Sequence, residues 1–192
     1  MKVSQLLFKN LLLASVSLPF NTLALEAKSN TLLYISPMEY SHSVRLLSPY
    51  YDYWFEQGPI VEPIALEALK ASDASLAMCT ANEKGDTVIR LKPRIFYNPQ
   101  MQVYHSKLEA TVYSGSGEVI GSYSGEAQQQ GYASIDTATK YHIKKAYVLA
   151  MRDLMRNIKL QPLNNTADQT ATASKLPCGM IGAQAEPVIN FY

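Results

Sequence analysis

The chain has 192 residues, 17 of them Lys or Arg and 16 Asp or Glu, for a formal net charge of +1. That near-balance gives no global field suited to nucleic acid. A 47% hydrophobic composition with one tryptophan and two cysteines fits an ordinary globular domain with enough core to fold alone.

The first residues, MKVSQLLFKNLLLASVSLPFNTLALEA, carry Lys2 and Lys9 and then a short apolar stretch from Leu11 to Phe20. Thr22 and Ala24 sit at the −3 and −1 positions of a cleavage site, with Ala27 as a second choice. This is the pattern of a secretory signal peptide over residues 1–24. Its apolar run falls well short of the ~20 residues that span a bilayer. Removal leaves 15 basic and 16 acidic residues. The expected mature product is a soluble periplasmic protein, without a transmembrane anchor, whose single domain covers residues 25–160.

TLLYIS (31–36) reads as a strand stopped by Pro37, and 37–60 as a loop holding Pro37, Pro49, Gly58 and Pro59. Within it, Tyr50, Tyr51, Tyr53, Trp54 and Phe55 crowd into six positions. Packing predicts Trp54 and Phe55 inward, with Tyr50, Tyr51 and Tyr53 available to a partner. EPIALEALKAS then reads as a helix with Pro63 in its first turn and Ile64, Ala65, Ala68 and Leu69 on one face. SLAMCTA (75–81) is a short apolar strand with Cys79 at its far end.

DTVIRLKPRIFYNP (86–99) alternates, Ile89, Leu91 and Ile95 one way and Arg90, Lys92 and Arg94 the other. Period two means a strand with one buried and one wet face. Asn98-Pro99 makes a turn into MQVYHSKLEATVYS (101–114), where Tyr104, Leu108, Ala110 and Val112 alternate with His105, Lys107, Glu109 and Thr111. The Ser-Gly-Ser-Gly tip (114–117) leads to EVIGSYSGEA (118–127), which completes an antiparallel meander. SIDTATKYHIKKAYVLAMRDLMRNIKL (134–160) is a long helix, capped by Ser134 or Asp136 and stopped by Pro162. Its apolar stripe is Ile143, Tyr147, Ala150, Leu154 and Ile158. NNTADQTATAS (164–174) is a polar linker to a C-terminal tail, the two together spanning residues 161–192.

Cys79 and Cys178 fit neither a CxxC redox motif nor a zinc set, and in an exported chain an even count reads first as a disulfide. Such a bridge would hold the tail down. The element order predicts an α+β two-layer domain: a mainly antiparallel sheet with a three-strand meander, and two main helices on one face. The opposite face is left to solvent or to a partner.

Candidates for catalysis are thin. Ser116 lies in a hairpin tip and lacks the strand-to-helix frame of a nucleophile elbow. His42, His105 and His142 are scattered over a loop, a strand and a helix. Glu39 and His42 would suit a metal only on a helix, which Pro37 opposes. Neither a cofactor nor a metal is expected, and a small hydrolase ranks last. Arg90, Lys92 and Arg94, with Lys107 on the neighbouring strand, would form a basic patch flanked by Val88, Phe96, Val103 and Tyr113. Such a surface suits an acidic envelope protein, anionic lipid head groups or glycan. A solvated face with cross-strand ion pairs is the alternative, as is a lipid or glycan carrier using the aromatic loop as a slot.

The segments WFEQGPIVEPIALEALKAS, TVIRLKPRIFYNP, KLEATVYSGSGEVIGSYSGEA and KKAYVLAMRDLMRNI follow in that order. Their succession resembles the auxiliary component of Gram-negative ABC-type transport systems and the related small α/β domains of outer-membrane lipoproteins that activate envelope machines. The resemblance covers about residues 31–160. It implies a non-catalytic binding or adaptor module in envelope transport or assembly, with no catalytic residue to carry over. The chain departs from that family in lacking a lipidated cysteine.

Overall fold

The computed structural model describes residues 30–47, 52–80, 82–133, 136–160 and 175–183. The expected signal peptide, Tyr50, Tyr51, the Ser134 cap, the Pro162 stop and the polar linker lie outside the described residues. The elements in chain order are β1 (Thr31–Tyr34), α1 (Pro37–Tyr40), β2 (Ser43–Leu47), β3 (Asp52–Glu56), α2 (Gly58–Lys70), β4 (Ala77–Met78), β5 (Thr87–Asn98), β6 (Val103–Ser114), β7 (Val119–Gln130), α3 (Asp136–Leu160) and α4 (Cys178–Ala183). The domain is α+β, with a five-stranded sheet in the order β4-β1-β5-β6-β7 and a separate β2–β3 hairpin.

β5, β6 and β7 form the antiparallel meander, while β1 runs parallel to both of its neighbours. All four residues of β1 are buried. Its place accounts for this, since a parallel strand covered on both faces reads as an unbroken apolar run. The inner sheet face presents Leu91, Tyr97, Tyr104, Leu108, Ala110 and Val112 to α2 and α3. The stripe Ile143, Tyr147, Ala150 and Leu154 is fully buried against it, joined by Val61, Ile64, Ala65 and Leu69 of α2. Two buried polar contacts fix the helices. The Ser106 hydroxyl donates to the Ala146 carbonyl at 2.9 Å. The Tyr147 hydroxyl donates to Gln57 Oε1 at 2.6 Å, and burial holds its pKa above the usual phenol range. Between β6 and β7 the chain turns through Gly117 at φ 93°, a left-handed conformation that glycine adopts without steric cost.

The stretch 37–60, expected as loop, holds real structure. Pro37 opens α1, where a missing N–H costs nothing. β2 and β3 pair from Ser43↔Glu56 to Leu47↔Asp52. α2 begins at Gly58, which sits so close to the Tyr40 ring that a Cβ there would collide with it. Pro59 takes the first turn, so Pro63 lies inside the helix and removes one internal hydrogen bond.

Cys79 and Cys178 are disulfide-bonded with their Cα atoms 6.1 Å apart. The bridge anchors α4 on the outer face, opposite α2 and α3. There Cys178 and Ile181 pack with Leu32, Tyr34, Val88 and Tyr113 in a second, smaller core. The outer face is therefore covered at the hairpin-tip end and open further along. No helix among the described residues is long and apolar enough to cross a membrane.

Candidate functional site

Strand pairing decides which side chains share the outer face. Lys92, Arg94 and Phe96 of β5 stand opposite Glu109, Lys107 and His105 of β6, and those opposite Ser124, Glu126 and Gln128 of β7. Of these, Arg94, Phe96, His105, Lys107, Glu126 and Gln128 line an open trough of about 540 Å³. Phe96 is 55% exposed and lies flat on the His105 ring, centroids 4.8 Å apart. An exposed aromatic backed by a second ring is a rigid anchor of the kind that carries binding energy in protein interfaces.

The charges here differ from the basic patch expected. Arg90 occupies the predicted face but is buried, at 8% exposure, where its register partner Tyr34 and α4 close over this end of the sheet. It is engaged within the protein and is not a surface residue. Arg94 is exposed but bridged to Glu39 of α1, with Nη2 donating to Oε1 at 3.0 Å. Lys107 Nζ lies 3.2 Å from both Glu109 and Glu126, and the hydrogen bonds to Glu126 and then Glu109 raise its pKa. Lys92 has no bridging carboxylate among the described residues, though Glu109 lies opposite it on β6. A surface this compensated is a weak collector of anions and a good match for a protein partner with its own polar groups. Two substitutions separate the roles. Arg90→Ala is expected to cost about 2–4 kcal/mol, because it empties a buried site and breaks its interactions. Lys92→Ala should stay within about 0.5 kcal/mol in the same denaturant titration.

The aromatic run 53–55 also resolves against expectation. Its strand alternates, so Tyr53 and Phe55 turn toward the core with Val44 and Leu46. Trp54 turns out at 59% exposure beneath the Arg45 guanidinium, 5.6 Å from its ring. The alternation of β3 thus reverses the roles expected for Trp54 and Tyr53 and leaves these three rings without a common slot.

The histidines are held apart. His42 is exposed between α1 and β2, and His105 is on the outer face. His142 packs on the inner side with its ring 5.6 Å from Tyr104. Among the described residues no group of three His, Cys, Asp or Glu could hold a metal ion. Glu39 does lie on a helix, begun rather than prevented by Pro37, and its carboxylate is committed to Arg94. Burial, and secondarily Lys145, holds the His142 pKa below its ordinary 6.5. His142 Nδ1 is buried with no hydrogen-bond partner among the described residues. The unfolded chain therefore takes up the proton first. The stability that neutral His142 supplies is complete above pH 6.5 and drains away as pH falls from there toward the lowered folded value. Denaturant midpoints should drop over that interval, and His142→Leu should flatten the drop.

Sequence pattern offers Glu39 only as a metal candidate with His42, and does not single out Glu126, Gln128 or the Phe96–His105 stack. Alternation along β7, read through the hairpin tip, points to Glu126 and Gln128, but a bulge at Val112/Tyr113 shifts the register by one. The Glu39–Arg94 pair spans 55 residues and leaves no local signal.

No protein-family model matches the chain, and no curated protein is significantly similar to it. Among solved structures, the protein XCC0632 of Xanthomonas campestris, from the family model DUF330, is 16% identical. The match covers 70% of this chain and 86% of that one, with a TM-score of 0.49. The PelC dodecamer from Paraburkholderia phytofirmans is 14% identical over 65% of this chain and 89% of that one, with a TM-score of 0.34. At these scores the likeness assigns neither family nor function.

Proposed function

We propose that this chain is an exported, non-catalytic adaptor of the Gram-negative periplasm. It holds an envelope protein against the outer face of its sheet, in a role like that of the auxiliary components of ABC-type transport systems. The observation that carries the reading is the uncovered strip around Phe96. An exposed aromatic on a rigid twelve-residue strand, ringed by compensated charges, has the composition of an interface centre rather than of a solvated face. Export is supported by the leader pattern of residues 1–24 and by a disulfide that closes a 99-residue separation, since such bridges persist in oxidising compartments.

The test is capture of the partner from a periplasmic extract by tagged, oxidised protein. Phe96→Ala combined with Lys92→Glu is expected to lower capture at least tenfold while the melting temperature moves by no more than a few degrees. Arg90 is left intact, because its loss would act through the fold. Undiminished capture by the double variant contradicts the assignment of this face.

A further inference from the structure

β7 is an edge of the five-stranded sheet, and it is finished differently along its length. α3 supplies Asn157, which donates to the Ser124 carbonyl, and Asp153, which accepts from the Glu126 N–H. These two contacts fix a phase. Backbone groups alternate sides along a strand, so Gln128 and Gln130, like Ser124 and Glu126, turn theirs away from β6. The Gly131 N–H agrees from the other set, bonding back to the Gln102 carbonyl. The Gln129 side chain donates to the Gln130 carbonyl. The Glu126 carbonyl, the Gln128 N–H, the Gln128 carbonyl and the Gln130 N–H are left without partners among the described residues. Acceptor, donor, acceptor, donor is the complement of one added strand.

The usual guards of an edge are missing here. SGEAQQQ (124–130) holds no Lys, Arg or Pro, and the bulge between β6 and β7 lies at the other end, at Val112/Tyr113. The trough also ends on this edge, with Glu126, Ala127 and Gln128 in its lining. An added strand would therefore lengthen two rows of outer-face side chains. One row runs Arg94, Lys107, Glu126 and the other Phe96, His105, Gln128. The Glu126 side chain is 66% exposed, so a cation suits the position beside it. An aromatic suits the position beside Gln128, where two rings already stack along the row. A second copy fits less well. The open window from Glu126 to Gln130 is about 17 Å of strand, too short by itself for the roughly 1,200–2,000 Å² that a stable dimer buries. An extended segment gains the trough as well.

We propose that the edge from Glu126 to Gln130 accepts an extended segment of the partner polypeptide as a sixth strand, with a basic side chain beside Glu126 and an aromatic one beside Gln128. The partner rests on the function proposed above; the capacity to add a strand does not, and it is tested separately.

The experiment titrates the oxidised mature protein with two synthetic heptapeptides, STKVYTS and its reverse STYVKTS, read by NMR shifts and amide hydrogen exchange. One of the two is expected to move the Gln128 and Gln130 amides saturably and slow their exchange at least tenfold, and which one binds gives the direction of the added strand. The Glu126 amide, already bonded to Asp153, should exchange at an unchanged rate. Replacing the lysine of the bound peptide by glutamate should weaken it at least threefold. Gln128→Pro removes one outward N–H, which an edge strand accommodates, and should weaken binding at least tenfold. Gln128→Thr keeps that N–H and should bind within threefold of the unaltered protein. If the proline disturbs the Ala127 and Gln129 amides, which face β6, Gln130→Pro carries the same test. Binding in neither order, or shifts at Phe96 and His105 with the edge amides unmoved, would overturn strand addition. Edge shifts that grow with protein concentration without peptide would place a second copy there and overturn it too. In capture from the periplasmic extract, loss with Phe96→Ala and Lys92→Glu but not with Gln128→Pro keeps the outer face and rejects the edge as the partner's seat. The reverse result keeps the edge and rejects the face.

Discussion

Replacing Cys79 and Cys178 together by serine is expected to lower the unfolding free energy by about 2–4 kcal/mol. The bridge closes a separation of 99 residues, so in the chain-entropy account it removes a large share of the unfolded chain's freedom. The loss has a ceiling set by α4. Once the bond is gone, α4 is held by the Lys175–Asp86 pair, two backbone hydrogen bonds and the contacts of Cys178 and Ile181. If that segment lets go before the domain unfolds, only its docking energy is lost. Denaturant titration with and without reductant measures the cost. Hydrogen exchange at Leu176 and Cys178, whose amides donate to Gly115 and Glu83, shows whether α4 releases first. Acid should loosen the same segment. Its hydrogen bond from Lys175, and then that from the Asn30 amide, hold the Asp86 pKa below 3.8. That stabilisation is present above 3.8 and is lost as pH falls through the lowered value.

The second large effect lies on the opposite face. Gly125 of β7 meets the Ala150 carbonyl and the backbone of Leu154 so closely that no Cβ fits between strand and helix. The obstructing atoms are main chain, so no side chain can swing aside. Gly125→Ala should therefore push α3 off the sheet along the seam that buries Ala150 and Leu154. We expect a cost of about 3 kcal/mol or more, at the upper end for overpacking, and a melting temperature lower by roughly 6–12 °C. A change under about 1 kcal/mol would mean that the helix seats more loosely than its burial indicates. The same seam guards the sheet edge. Asn157 Nδ2 donates to the Ser124 carbonyl at 2.7 Å, and the Glu126 amide donates to Asp153 at 3.1 Å. Two outward-facing backbone groups of β7 are thereby satisfied, which discourages edge-to-edge pairing.

These features differ in how far they could be read from the chain. The meander and α3 were legible because their information is local: twelve-residue strands with period two, a glycine-bearing tip, and an apolar stripe at helical spacing. The hairpin of β2 and β3 was hidden by its own punctuation. Each strand is five residues, with prolines at 37, 49, 59 and 63 around them, and of these Pro37 and Pro59 open helices while Pro63 lies inside one. Five aromatics within six positions read as a cluster, whereas alternation splits Trp54 from Tyr53 and Phe55. Arg90 shows the other limit. Its facing was correct from periodicity, but its burial depends on Tyr34 and on a helix 88 residues later in the chain. The pairing of Arg94 with Glu39 is likewise tertiary. What remained at the surface from the expected patch was Lys92, the carboxylate-paired Arg94 and Lys107, and the Phe96–His105 stack, a smaller and less basic site.

A photo-crosslinking residue placed at position 96 in living cells interrogates this outer surface directly, with position 152 on the exposed side of α3 as the reference. The adaptor account predicts one discrete adduct with an envelope protein from position 96 and none from position 152. Equal labelling from both positions, or no adduct from position 96 while the protein is folded and exported, would contradict it.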